Sequence, residues 1–168
     1  MQSEAVRLIS LRYPDLFWWH TENEGERTPF EQYLFKEMGG RKGVSDLVIL
    51  EEGNFSKGLM AELKWGRGGC TKEQVDFLIW SAKKGYTAAV VYDDARDVLQ
   101  LIDDHLTKGT IIPSEGILYI KGTERKTVKF EEAHQVLIKK GSVKSDKAKA
   151  KELFKANALK KFGKMEKA

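Results

Sequence analysis

An α/β sandwich, with helices on both faces of a mixed sheet, is the architecture this sequence predicts over residues 1–109. Three features carry the prediction. Capping boxes open two helices, at Thr28-Pro29-Phe30-Glu31 and at Thr71-Lys72-Glu73-Gln74. TAAVVY (87–92) is a continuous apolar run, the pattern of a strand covered on both faces. Two further strand-like runs, VSDLVIL (44–50) and LMAELKW (59–65), stand next to each other with only a loop between them. The resulting order is αβαββαβα.

Each element has its own signals. SEAVRLISLR (3–12) reads as the first helix, stopped at Tyr13-Pro14, and Glu4, Leu8 and Leu11 share a face that would turn the acid inward. LFWWHTE (16–22) is aromatic and extended, the mark of an edge strand, and NEGERT then turns the chain. The second helix runs on Phe30, Tyr33, Leu34 and Met38 until Gly39-Gly40 stop it. The third runs from its capping box to Lys84, with Gly85 as its cap. Asp93 or Asp94 caps a fourth, carrying Ala95, Val98, Leu99, Ile102 and Leu106 and closed by Gly109. Residues 110–168 form an α+β extension: a hairpin and short helix over 115–140, then a lysine-rich amphipathic helix over 143–166.

Composition narrows the class. With 41% hydrophobic and 32% charged residues, the chain can bury a core and is not a disordered protein. No apolar run approaches the roughly 18 residues of a membrane span. Cys70 is the single cysteine, so no internal disulfide forms, and His20, His105 and His134 have no zinc-ligand spacing. Glu4, Arg7 and Arg12 interrupt any signal-like start, so a cytoplasmic setting is expected. The net charge of +4 is unevenly spread. From Gly141 onward nine lysines face three acids, a surplus of six that leaves the first 140 residues at −2. Affinity for polyanions therefore belongs first to the tail.

The chemistry lies in GLMAELKWG (58–66). In an extended chain Leu59, Ala61, Leu63 and Trp65 fall on one side, and Met60, Glu62 and Lys64 on the other. Asp46, in the preceding strand, can meet Glu62 if the two strands pair. Two carboxylates 4 Å apart repel by roughly 4 kcal/mol at an effective dielectric near 20. A shared proton, a cation, or both must offset that. With no histidine or cysteine at hand, the donor set favours Mg²⁺, or Mn²⁺ in its place, over zinc. Such a site suits phosphodiester hydrolysis, with Lys64 positioning or deprotonating the attacking water.

Asp46 followed by Glu62-Leu63-Lys64 resembles the PD-(D/E)XK nuclease signature. GVSDLVIL, the glycine before the E-x-K strand, Thr71-x-x-Gln74 and Gly85-Tyr86 together resemble its VRR-NUC branch, of the stand-alone, phage type. Glu4 matches the branch's acid in the first helix, and Asn23-Glu24-Gly25 its turn; Ser45 stands where the branch has proline. The resemblance covers residues 3–108. It implies a restriction-endonuclease-like fold and a metal-dependent endonuclease that leaves a 5′-phosphate. It also implies a homodimer acting on branched DNA such as four-way junctions or flaps.

On this reading Asp46, Glu62 and the Leu63 carbonyl hold the ion, Lys64 activates water, and Gln74 and Glu4 assist. The turns GGRKG (39–43) and GRGG (66–69) flank the site strands, and Arg41, Lys42 and Arg67 are candidates for phosphate contact. Two readings stay open beside this one: a non-catalytic DNA-binding accessory protein of replication or packaging, and a sequence-specific restriction-type nuclease. An RNA nuclease is a third reading that the residues alone leave open.

Overall fold

The structure, a computed structural model, describes residues 1–21, 28–108 and 111–138. The lysine-rich helix expected over 143–166, the Asn23-Glu24-Gly25 turn and Gly109 lie outside the described residues. In chain order the elements are α1 (Gln2–Arg12), β1 (Trp18–His20), α2 (Pro29–Glu37), β2 (Leu47–Ile49), β3 (Leu59–Lys64), α3 (Lys72–Lys83), β4 (Thr87–Tyr92), α4 (Ala95–Asp103), β5 (Ile117–Lys121), β6 (Glu124–Val128) and α5 (Ala133–Leu137). A π-helical turn, Asp104–Lys108, continues α4, which the apolar pattern alone does not signal.

The six strands form one sheet in sequence order, β1-β2-β3-β4-β5-β6. β1/β2, β2/β3 and β5/β6 pair antiparallel, whereas β3/β4 and β4/β5 pair parallel, so the sheet is mixed as expected. All six residues of β4 are buried, which is what its unbroken apolar run foretold. β1 is an edge strand. The hairpin expected in the extension is built onto this sheet through β5, so the sheet runs on across residue 109. One compact unit accordingly spans Met1–Ile138.

Each face of the sheet carries its own core. α1 and α4 cover one, where Ala5, Ile9, Leu47, Ala61, Leu63, Val98 and Ile102 are buried. α3 and α5 cover the other, with Val48, Met60, Val75, Leu78, Val90 and Leu137. One expectation is corrected here. The buried residues of α1 are Ala5 and Ile9, so Glu4 and Leu11 face outward rather than into the body. A helix turns about 100° per residue, and the stripe centred on positions 5 and 9 packs better here than the one through 4, 8 and 11. In α2, no residue is buried: Phe30, Tyr33, Leu34 and Met38 form an apolar stripe at the surface.

Local chemistry pins the elements that matter for the site. Thr28 and Thr71 make both reciprocal bonds of their capping boxes. Gly43 has φ +84°, and a Cβ there would lie 2.5 Å from the Glu73 carbonyl carbon. Only glycine lets the turn before β2 approach the first turn of α3 so closely. At the opposite end, Ser56 Oγ accepts the Thr87 N–H (2.7 Å), Thr87 Oγ1 meets His105 Nδ1 (3.3 Å), and His105 Nε2 meets the Glu51 carbonyl (2.8 Å). Burial holds the His105 imidazole below its usual pKa, in keeping with a neutral ring that fastens the β2–β3 loop to β4.

Candidate active site

The site grows out of the point where β2 stops. β2 and β3 pair with Leu47 opposite Ala61 and Val48 opposite Met60. One step further along that register, Asp46 stands opposite Glu62, on the face that Val48 and Met60 share with α3. Both carboxyl groups are buried, Asp46 to 3% exposure and Glu62 to 0%. Asp46 Oδ2 accepts the Leu63 N–H at 2.9 Å, so the side chain takes the ladder bond that β2 no longer supplies. The Lys64 carbonyl, pointing the other way, accepts the Asp93 N–H at 2.9 Å. In an extended residue the N–H and C=O leave by the same edge, so the Leu63 carbonyl faces the Asp46 side.

Glu62 and Lys64 emerge together, as alternation requires. Lys64 Nζ lies 2.7 Å from Glu62 Oε1 and 3.2 Å from Gln74 Oε1. The Gln74 amide serves two ends. Its Oε1 accepts the Thr71 N–H at 2.8 Å, completing the capping box, while its Nε2 donates to Glu62 Oε1. Capping and site duty are therefore one interaction set. The other Glu62 oxygen, Oε2, is buried without a hydrogen-bond partner, as are Ser45 Oγ and Thr21 Oγ1 beside Asp46 in sequence or across the strand.

The electrostatics follow from this crowding. Burial first, and then the Asp46 carboxylate, push Glu62 up to about 8, against the pull of Lys64. Burial also raises Asp46, although the Leu63 N–H and Lys64 work against it. Burial opposes the charge on Lys64, yet the Glu62 carboxylate outweighs it and holds the ammonium above its ordinary range. Cys70, buried nearby and pushed up to about 12 by burial and by Glu62, is an inert thiol.

Two carboxylates, one of them with an orphaned buried oxygen, and a main-chain carbonyl form a set of hard donors. Magnesium typically takes one or two protein carboxylates and fills its remaining positions with water and substrate phosphate, so the donors fit such an ion. Glu4, expected to assist, is not brought to them. It is exposed and within electrostatic reach of Arg96 on α4. Among the described residues, no three His, Cys, Asp or Glu side chains cluster as a metal site. Arg41 and Lys42 are exposed on the turn before β2, and Arg67 is exposed on the turn between β3 and α3.

Asp93 is a contributor that the sequence reading placed only as a candidate helix cap. It is the one non-glycine among the described residues with positive φ, at 66°. Its carboxylate accepts the Gly66 N–H, and Lys121 Nζ stands 3.7 Å away, so it clamps the turn that follows Lys64. The helix cap itself is Asp94. Nothing in a local pattern marks a clamp that joins residues 27 positions apart.

No protein-family model and no curated protein sequence matches the chain. Among solved structures, the chain is similar to a VRR_NUC domain protein at 23% identity and a TM-score of 0.50, over 62% of this chain and 86% of that one. The chain thus has the fold of a VRR-NUC domain, a restriction-endonuclease-like mixed sheet flanked by helices. No described helix is long and apolar enough to cross a membrane.

Proposed function

We propose that this protein is a metal-dependent endonuclease that hydrolyses DNA phosphodiester bonds, with branched DNA as its preferred substrate. One observation carries the reading: Glu62, wholly buried, sits opposite Asp46 with Oε2 unpartnered and Lys64 and Gln74 gathered on Oε1. Burying acids side by side costs stability unless something offsets it, so a fold that keeps them has a use for them. The VRR-NUC fold supports nuclease chemistry as that use.

Asp46, Glu62 and the Leu63 carbonyl would hold Mg²⁺, with Mn²⁺ as a substitute. When bound, the ion supplies Lewis acidity toward the scissile phosphate and a water of lowered pKa. The remaining work belongs to the side chains. Gln74, anchored to the helix start through Thr71, fixes the rotamer of Glu62 and the position of Lys64. Lys64, held as an ammonium, donates to the attacking water or to a phosphoryl oxygen and stabilises the charge that develops there. Its contact with Glu62 disfavours loss of its proton, so charge stabilisation fits it better than general-base work. Arg41, Lys42 and Arg67 would contact the phosphate backbone. Cutting both strands of a branch needs two copies, and the apolar stripe of α2 is a surface that a second copy would cover.

The test incubates labelled four-way, flap and linear DNA with the protein, with and without Mg²⁺, beside Lys64→Ala. The expected outcome is cutting of the branched forms, dependent on Mg²⁺, and loss of at least about 100-fold in rate for the variant. If nothing is cut under any condition, the reading fails and a DNA-binding role without catalysis takes its place.

A further inference from the structure

We infer that Trp65 is a stacking platform for an unpaired base beside the cut, so that the nuclease site proposed above engages a strand with at least one nucleotide out of the duplex. The inference rests on that reading of the site and adds to it the class of strand bound.

Trp65 follows Lys64 directly and falls on the other side of the strand, and it is 69% exposed. The other exposed tryptophans have aromatic company: Trp80 stacks on Phe77 at 6.0 Å, and Trp19 meets Phe17 edge-on at 6.3 Å. Trp65 has no ring partner among the described residues. An indole left open to water forgoes the burial it would normally gain. The space beside it is an open pocket of about 390 Å³ lined by Met1, Gln2, Ser3, Leu63, Lys64 and Trp65. No acid lines it, so a nucleotide entering it meets no like charge there. Two of its walls, Leu63 and Lys64, belong to the proposed catalytic set. Lys64 is common to the pocket and the site, so a strand bound at the site would round the end of β3 to bring a base onto the indole.

The platform is also held still. The Lys64 carbonyl is tied to Asp93, the Trp65 carbonyl accepts the Gly68 N–H at 2.9 Å, and the Gly66 N–H is clamped by the Asp93 carboxylate. Lys121 Nζ reaches the Gly66 carbonyl at 3.2 Å. Gly66, at φ +59°, supplies the turn. Arg67, two residues after Trp65, is exposed on that same turn. A preorganised aromatic next to a basic side chain is the arrangement that binds single strands without reading their sequence. A base paired inside a duplex offers no free face to stack on, so the occupant is an unpaired nucleotide.

The experiment titrates a single-stranded oligothymidylate into the full chain, in EDTA so that nothing is hydrolysed, and reads indole fluorescence. Wild type should show quenching on binding. Trp65→Phe should lose that quenching component while keeping most of the affinity, since a ring remains. Trp65→Ala should bind about tenfold more weakly, while its affinity for a blunt, fully paired duplex stays unchanged. Both variants should melt with wild type, because the side chain is mostly exposed. Wild-type affinity in Trp65→Ala, or an equal loss on single strand and duplex, would overturn the inference. The cleavage assay above tests the nuclease reading separately: fluorescence decides stacking whether or not the protein cuts.

Discussion

Glu62 concentrates the tension of the site, because it is buried, faces Asp46 and is held by Lys64 and Gln74. Its folded-state pKa, near 8, lies above that of an exposed glutamate. A carboxyl group so raised stabilises the fold fully below its unfolded value near 4.5, and that stability is lost as pH climbs through about 8. A divalent cation binds the ionised form and reverses the loss. The melting temperature should therefore rise on adding Mg²⁺ by more at pH 8 than at pH 5. At 100 times the dissociation constant the gain is about 2.7 kcal/mol. Glu62→Gln removes the buried charge and keeps the shape. At pH 8 it should melt higher than metal-free wild type and lose its response to Mg²⁺. A variant still stabilised by Mg²⁺ as strongly as wild type would place the ion elsewhere.

At the scale of elements, α3 and β3 are coupled through one side chain. Gln74 caps α3 with its oxygen and holds Glu62 with its nitrogen, so the helix start sets the site and the site steadies the helix. Gln74→Glu keeps an oxygen for the Thr71 N–H but replaces the donor with a third negative charge against Glu62. Cleavage should fall roughly 10- to 100-fold, the usual cost of losing a group that orients a metal ligand, and kcat should fall more than KM. An unchanged kcat would reduce Gln74 to a capping residue. Gly43 works at the same scale, since its close approach to Glu73 sets the turn before β2, and with it Asp46, against α3.

Across the whole molecule, charge is divided between a slightly acidic body and a lysine-rich end. If the end contacts DNA backbone, affinity falls steeply with salt, and deleting residues 139–168 flattens the slope of log affinity against log salt. Competition binding at several salt concentrations measures this, and an unchanged slope would assign the phosphate contacts to the body. Much of this molecule was written locally. Capping boxes announce α2 and α3, the apolar run of TAAVVY announces a buried strand, and period-two alternation puts Glu62 and Lys64 on one face. Propensity, periodicity and capping are short-range physics, so one chain suffices to read them. What lay beyond it required partners distant in sequence. Only packing decided that α1 buries Ala5 and Ile9 and leaves Glu4 in water, that α2 presents its apolar stripe outward, that β5 extends the sheet, and that Asp93 clamps the turn after Lys64. A residue's neighbours in sequence limit which faces it can offer, but which face meets the core is settled by the competing burial of every other element at once.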